Sequence, residues 1–195
     1  MRIIVAGIGT DVGKTAVSSI LSLLFKADYW KPIQCGDDSM MPQGITVHPP
    51  AYTFKAPLSP HHAARLENTT INWETIIPPQ TTCPLIIESI GGIFVPLTTN
   101  LLSIDLFQSW HCQWVVVSKH YLGSINHTLL TLEALKQRRI PTLGLIFNGE
   151  PNLDSEAAIL AFSGVPLLGR LLPEANLNLE TLQKYVKQWQ PHFLP

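Results

Sequence analysis

Residues 2–25, "RIIVAGIGTDVGKTAVSSILSLLF", decide the fold. The opening "RIIVA" is a short apolar run rich in β-branched residues, the composition of a buried strand. From Ala16 onward the apolar residues recur at helical spacing, so "GIGTDVGKT", residues 7–15, is a tight turn between a strand and a helix. Its small residues let successive backbone N–H groups point inward at one anion, and the helix that follows adds its positive end. Lys14 supplies a full charge, and Thr15 a hydroxyl suited to a magnesium ion that bridges the outer phosphates of a nucleotide. The turn is one residue longer than the common phosphate loop, because Gly7 stands seven positions before Lys14 instead of six. A glycine-rich turn with an exposed lysine is the bland alternative; the strand before and the helix after favour the phosphate cradle.

Outward from this unit, short apolar runs alternate with longer amphipathic ones, the pattern of a parallel sheet wrapped by helices. "RIIVA", "YWKPI", "PLIIES", "QWVVVS", "PTLGLIFN" and "VPLLG" are the predicted strands, and "KTAVSSILSLLFK" and "SINHTLLTLEALKQRR" the predicted crossover helices. In the second helix Ile125, Leu129, Leu132 and Leu135 form one stripe, with Ser124 as the expected cap. Lys136, Arg138 and Arg139 bring to its end the charge that a helix C-terminus favours. Ten of the sixteen prolines fall between Pro32 and Pro96, and "GDDSMMPQGITVHPPAYTFKAPLSPHH" has no sustained period, so it is expected to run as loop over the surface. The chain has 195 residues and is 46% apolar, enough for one substantial core. The expected architecture is a single α/β domain over residues 1–195, with a mostly parallel central sheet flanked by helices on both faces.

The formal net charge is −1 and the basic residues are scattered, which gives no electrostatic footprint for nucleic acid and no polybasic membrane anchor. Small molecules are the expected partners. Cys35, Cys83 and Cys112 form an odd, widely spaced set without a metal-ligand pattern, as in a reducing compartment, and no disulfide is expected. The N-terminal apolar stretch is too short for a signal peptide, and no later run is long enough to span a bilayer. The expected location is the cytoplasm.

In an open parallel sheet, ligands gather at the carboxyl ends of the strands, so the polar residues closing each apolar run are the ones that matter. Lys14 and Thr15 follow the first strand, and Gln34 and Asp37 follow "YWKPI", with Lys31 inside that run. Glu88 closes "PLII", Lys119 follows "VVVS" and Asn148 ends "LGLIF". Together they would line one rim with a phosphate cradle, two further cations, two acids and a carboxamide, the set a magnesium–nucleotide site needs. Glu88 is the candidate acid for the metal, against a strand-end carboxylate in a salt bridge. Lys31 fits a catalytic cation and a strand lysine reaching solvent equally well. Asn148 can read the edge of a base or form a turn.

"GTDVGKT", "KPIQCG", "YTFKAPLSPH", "IIESIGGIFVPL", "LGSINHTLLTLEAL" and "LIFN", in that order, resemble dethiobiotin synthetase. The resemblance runs from the N-terminus to about "LLGRLLPEA", nearly the whole chain. That family has a phosphate loop of this greater length; here Ile8 stands where a threonine is usual. The resemblance implies an α/β fold of the P-loop NTPase type. It also implies a homodimeric enzyme that makes a cyclic urea from 7,8-diaminononanoate, carbon dioxide and ATP, with Mg²⁺ as cofactor and ADP and phosphate as products. One amine captures carbon dioxide as a carbamate, the γ-phosphoryl group moves onto it, and the neighbouring amine closes the ring.

Carried over by motif, Asp11, Val12, Gly13, Lys14, Thr15 and Ala16 match the phosphate-binding turn, and Glu88, Ser89, Ile90 and Gly91 a second segment along ATP. Thr15 and Glu88 match the metal ligands. Lys31 matches the catalytic lysine that contacts the carbamate and the transferring phosphoryl group, with Lys14 as its companion. Cys35, Gly91 and Gly92 match positions beside the substrate. Asn148 and Gly149, with Leu171, Leu172 and Pro173, match the surroundings of adenine and ribose. "LGSINH" resembles a dimer element in which Gly123, Ser124, Ile125 and Asn126 at one subunit's helix start receive the carboxylate of substrate bound mainly to the other. Unbonded N–H groups at a helix start suit that anion. His127, His61 and His62 are assigned no chemistry.

Departures from the family are specific. Cys35 stands where serine or threonine is usual, and a thiol is the weaker hydrogen-bonding group. The stretch between "KPIQCG" and "YTF" is shorter than the family's, and the lost part normally carries an aspartate that helps hold magnesium. Asp37 or Asp38 is the candidate replacement, against a turn with solvated carboxylates. A related ATP-dependent amidating or maturation ATPase, and a nucleotide-binding module without turnover, are the alternatives; "LGSINH" argues against the first, and the shortened acidic segment suggests the second.

Overall fold

Among the described residues nine strands follow in chain order: β1 (Arg2–Gly7), β2 (Asp28–Trp30), β3 (Ile33–Cys35), β4 (Val47–His48), β5 (Tyr52–Phe54), β6 (Leu85–Gly92), β7 (Gln113–Lys119), β8 (Thr142–Asn148) and β9 (Leu167–Leu171). The structure, a computed structural model, describes residues 1–37 and 44–193. Seven strands form one sheet in the order β4-β2-β6-β1-β7-β8-β9, with every neighbouring pair parallel. β3 and β5 pair apart from it, also in parallel. The helices are α1 (Lys14–Phe25), α2 (Pro60–Leu66), α3 (Ser103–Gln108), α4 (Ser124–Gln137), α5 (Leu153–Ser163) and α6 (Leu179–Phe193).

The strand order reverses at β1. The chain leaves β1 through α1 toward β2 on one side, whereas β6, β7, β8 and β9 are joined by α3, α4 and α5 toward the other. Right-handed crossovers therefore put α1 on one face and α3, α4 and α5 on the opposite one. After β9, α6 returns to pack against α1. Helices on both faces explain why Ile3, Ile4 and Val5 of β1, Ile86 and Ile87 of β6, and Val115, Val116 and Val117 of β7 are all buried in unbroken runs. The turn after β1 lies at the reversal point, where open sheets form their ligand crevice.

Four sequence expectations are corrected. "YWKPI" is not one strand: β2 ends at Trp30, and Ile33–Cys35 joins the separate ribbon. Pro32 has no N–H for a ladder, and its carbonyl instead accepts from the amides of Ala51 (2.8 Å) and Tyr52 (3.2 Å). The proline-rich stretch is not all surface loop, because it holds β4, β5 with buried Phe54, and the start of α2. The cap of α4 is Gly123 at φ 99°, not Ser124, which is buried in the first turn. The buried stripe of α4 is Ser124, Thr128, Thr131, Leu132 and Leu135, while Ile125 is exposed and Leu129 half-buried. Its two threonine hydroxyls are satisfied, Thr128 Oγ1 donating to the Ser124 carbonyl (2.6 Å) and lying 2.8 Å from Ser118 Oγ of β7, and Thr131 Oγ1 donating to the His127 carbonyl (2.8 Å). Small polar residues can therefore take the place of leucines against the sheet.

Among the described residues no helix is long and apolar enough to cross a membrane.

Candidate active site

The phosphate loop is shaped by two residues in the left-handed region, Asp11 at φ 56° and Gly13 at φ 96°. Such alternation turns consecutive amides toward one side and makes a concave anion seat. Gly13 caps α1 without a side-chain bond. A Cβ there would lie 2.2 Å from Asn148 Nδ2, so both backbone and space require glycine. The loop is braced from its neighbours: Asn148 Nδ2 donates to the Val12 carbonyl (2.8 Å) and Lys119 Nζ to the Asp11 carbonyl (3.3 Å). Lys14 Nζ curls over the loop and donates to the Gly9 carbonyl at 3.0 Å. A Cβ at Gly92 would lie 3.7 Å from Gly9 Cα, so the end of β6 passes along the loop.

Glu88 is the centre of the site. It sits in the middle of β6, opposite Val5 of β1, and is 1% exposed. Its Oε1 accepts from Thr15 Oγ1 at 3.0 Å and lies 3.1 Å from Lys31 Nζ. Its Oε2 accepts from the Tyr29 hydroxyl at 2.8 Å. Residues from α1, β2, β6 and the bend after β2 thus converge on one carboxylate. The ion pair matches the alternative weighed for Glu88, yet its partners include the first-turn threonine of the phosphate loop, which a stray surface bridge would not select. Alternation along the strand turns Ser89 to the other face, where its buried hydroxyl has no partner among the described residues.

The donor set fits magnesium in part. Thr15 and Glu88 offer hard oxygens side by side, which suits an ion that takes one or two protein ligands and completes its shell with phosphate oxygens and water. Among the described residues no three His, Cys, Asp or Glu side chains gather into a ready-made metal centre. Asp37 is exposed, and Asp38 lies outside the described residues.

Other expected residues divide into two groups. Asn148 and Gly149 meet Leu171 across β8 and β9: Asn148 is in register with Leu171, and the Gly149 amide donates to the Leu171 carbonyl at 2.9 Å. Leu172 follows, its amide bonded to the Tyr185 hydroxyl at 3.2 Å, with Pro173 exposed beside it. Gly123, Ile125 and Asn126 lie exposed at the start of α4, outside the Glu88 cluster, and the Ser124 amide is already bonded to the Tyr121 carbonyl at 2.9 Å. That corrects the expectation of four unbonded amides there. His127 Nδ1 pairs with the Tyr121 hydroxyl at 2.8 Å. Gln34 turns back on its own bend, Nε2 donating to the Gly36 carbonyl at 2.8 Å.

Burial pushes the Cys35 thiol up to about 11, against the lowering influence of Lys31. It is a neutral thiol at neutral pH, neither a nucleophile nor a strong donor. Iodoacetamide at pH 7.5 is expected to alkylate exposed Cys83 well before Cys35 or buried Cys112, as read by peptide mass spectrometry. First modification at Cys35 would contradict this environment.

Tyr29 carried no signal in the sequence, where it is one aromatic residue in an apolar run. Lys119 and Asn148 were visible as strand-closing residues, but their bonds to the loop were not.

A family model described as AAA domain matches residues 1–181. The ATP-dependent dethiobiotin synthetase of Chlamydia abortus is 47% identical, over 97% of this chain and 95% of its own length. That of Paramagnetospirillum magneticum is 44% identical, over 92% of each. The chain belongs to the ATP-dependent dethiobiotin synthetase family. The solved structures it resembles are distant in sequence and speak to the fold. A plasmid partition protein of Borrelia burgdorferi, bound to AMPPNP, superposes with a TM-score of 0.57 at 10% identity, covering 98% of this chain and 96% of that one. A ParA family ATPase of Chlorobium tepidum gives 0.55 at 11%, covering 98% and 90%. This dethiobiotin synthetase family member therefore has the P-loop fold that its first strand, loop and helix announce.

Proposed function

We propose that the chain forms dethiobiotin from 7,8-diaminononanoate, carbon dioxide and ATP on the rim built by the phosphate loop, Lys31 and Glu88. The observation that carries this reading is the convergence of Thr15 Oγ1 and Lys31 Nζ on one oxygen of Glu88, at 3.0 and 3.1 Å. It puts the ammonium expected to handle the carbamate beside the groups expected to hold the phosphate end of ATP.

The loop amides of residues 11–16 and Lys14 receive the triphosphate at the start of α1. Asn148, Gly149 and Leu171 to Pro173 surround the base. Thr15 and Glu88 would hold Mg²⁺, which supplies charge neutralisation to the outer phosphates. Carbamate and triphosphate are both anionic, and each unit-charge pair at contact opposes the encounter by roughly 4 kcal/mol at an effective dielectric of 20. Lys31 and Lys14 offset that repulsion, and positioned charge of this kind is the main source of catalysis in phosphoryl transfer. The amine loses a proton as its nitrogen bonds to carbon dioxide. A carbamate oxygen then takes the γ-phosphoryl group as the bond to ADP breaks. The second amine attacks the carbamate carbon, loses a proton, and phosphate leaves.

The active form in this reading is a cytoplasmic homodimer of one-domain chains. The exposed start of α4, where Gly123, Ile125 and Asn126 are open to solvent, supports the delivery of an anion site to substrate held mainly by a second copy. Nucleic acid and membrane have no part in it.

Incubation with diaminononanoate, labelled bicarbonate and magnesium ATP is expected to yield labelled dethiobiotin by mass spectrometry, with phosphate released only when diamine and bicarbonate are both present. Phosphate release indifferent to the diamine would point to another ATPase. ATP bound but never hydrolysed would make the chain a binding module.

A further inference from the structure

β2 lies between β4 and β6 in the sheet, and Tyr29 is its central residue. Its backbone is fixed from both sides, in register with Val47 and Ile86 and with its amide donating to the Thr46 carbonyl at 2.8 Å. The side chain is 4% exposed, and its hydroxyl donates to Glu88 Oε2 at 2.8 Å. A phenylalanine would fill the same core volume, so the hydroxyl is the feature that packing does not require.

Glutamate reaches its position through three side-chain torsions, and its carboxylate can turn about the last of them. Two donors on Oε1, Thr15 and Lys31, leave that rotation open, because each can follow either oxygen. The Tyr29 hydroxyl on Oε2 closes it. It grips the oxygen on the β2 side from a rigid aromatic stem and leaves Oε1 turned toward Thr15 and the loop. Outer partners that orient a metal-binding carboxylate typically change metal affinity by about 10–100-fold.

We infer that Tyr29 is a positioning residue for Glu88, and that its hydroxyl sets how firmly the divalent cation of the nucleotide is held between Glu88 and Thr15. This rests on the metal role proposed above for Thr15 and Glu88. It adds a residue that acts through Glu88 without touching nucleotide or substrate.

The test is Tyr29→Phe, measured by calorimetry with a non-hydrolysable ATP analogue, once with excess Mg²⁺ and once with EDTA. The expected result is affinity weakened about tenfold with Mg²⁺ and changed less than twofold in EDTA. The Mg²⁺ concentration for half-maximal turnover should rise by a similar factor, while kcat at saturating Mg²⁺ stays within threefold of wild type. In a Glu88→Ala background, Tyr29→Phe should have no further effect on the Mg²⁺ requirement. Equal loss in Mg²⁺ and EDTA, or an unchanged Mg²⁺ requirement, would make the hydroxyl a core feature only and overturn the inference. If the wild-type protein itself bound the analogue equally in Mg²⁺ and EDTA, the proposed metal site would fail, a distinguishable outcome. A readout that keeps the Tyr29 hydroxyl uses 3-fluorotyrosine in place of tyrosine, with the chain otherwise unchanged. The sequence holds four tyrosines, and the Tyr29 resonance can be assigned by replacing the other three one at a time. It should shift when Mg²⁺ joins the bound analogue, and a resonance blind to Mg²⁺ would likewise overturn the inference.

Discussion

With Lys31 replaced by alanine, the protein is expected to bind magnesium ATP almost as wild type does and to turn it over at least about a thousandfold more slowly. Binding survives because the phosphate seat is made by the loop amides and Lys14, and no part of Lys31 belongs to that turn. The fold survives because Glu88 keeps two hydroxyl donors, Thr15 at 3.0 Å and Tyr29 at 2.8 Å, after the ammonium at 3.1 Å is gone. Breaking a buried ion pair is severe when the remaining charge is stranded, and here it is not. In the proposed reaction the chemistry does not survive, because the carbamate and the moving phosphoryl group would lose the cation that lets them meet. Lys31→Arg should restore only part of the rate: the charge returns, but a planar fork replaces a compact ammonium on a shorter reach. Rapid-mix phosphate release alongside calorimetry checks both halves. Turnover within tenfold of wild type, or ATP affinity falling in step with the rate, would remove Lys31 from the chemistry.

The parts of this site that sequence makes legible are those whose signal is local. The loop, its flanking strand and helix, and the polar residues that end the apolar runs all carry their meaning within a dozen neighbours. What stays hidden depends on partners far along the chain. Asn148 and Val12 are joined across 136 positions, so a strand-ending asparagine gives no hint that it braces the loop. Tyr29 reaches Glu88 across 59 positions, and an aromatic residue in an apolar run looks like core until that partner is known. "YWKPI" reads as one strand, and although Pro32 stands inside it, an apolar run does not say that its second half belongs to another ribbon. α6 shows a different limit: Leu182, Tyr185 and Trp189 make its buried stripe inside an otherwise polar segment. α5 buries chiefly Ile159 and Glu156, so it has hardly any apolar stripe to find. Glu156 can be buried only because His120 Nε2, at 3.2 Å, and Arg170 Nη2, at 2.6 Å, come to it from β7's end and β9.

Lys14→Ala is expected to weaken ATP binding by about two orders of magnitude, the scale of roughly 3 kcal/mol lost with a charged donor to phosphate. Two effects combine. The direct one is the missing ammonium. The indirect one comes from the bond between Lys14 Nζ and the Gly9 carbonyl at 3.0 Å, which ties the far side of the loop back onto its own base. Without it the turn from Gly9 to Gly13 leans on the side-chain braces from Asn148 and Lys119, at 2.8 and 3.3 Å, and its amides are held less rigidly toward one centre. Arginine should not substitute, because Lys14 is 7% exposed and packed close to Gly7, leaving no room for the larger fork. The two replacements thus separate charge from shape: alanine loses both, arginine keeps the charge, and both should lose affinity. Thermal unfolding of the nucleotide-free protein should change little, while the rise in melting temperature on adding ATP should largely vanish. If calorimetry gave Lys14→Ala the wild-type affinity, the turn after β1 would not be a phosphate seat, and the loss of rate expected at Lys31 would need a different explanation.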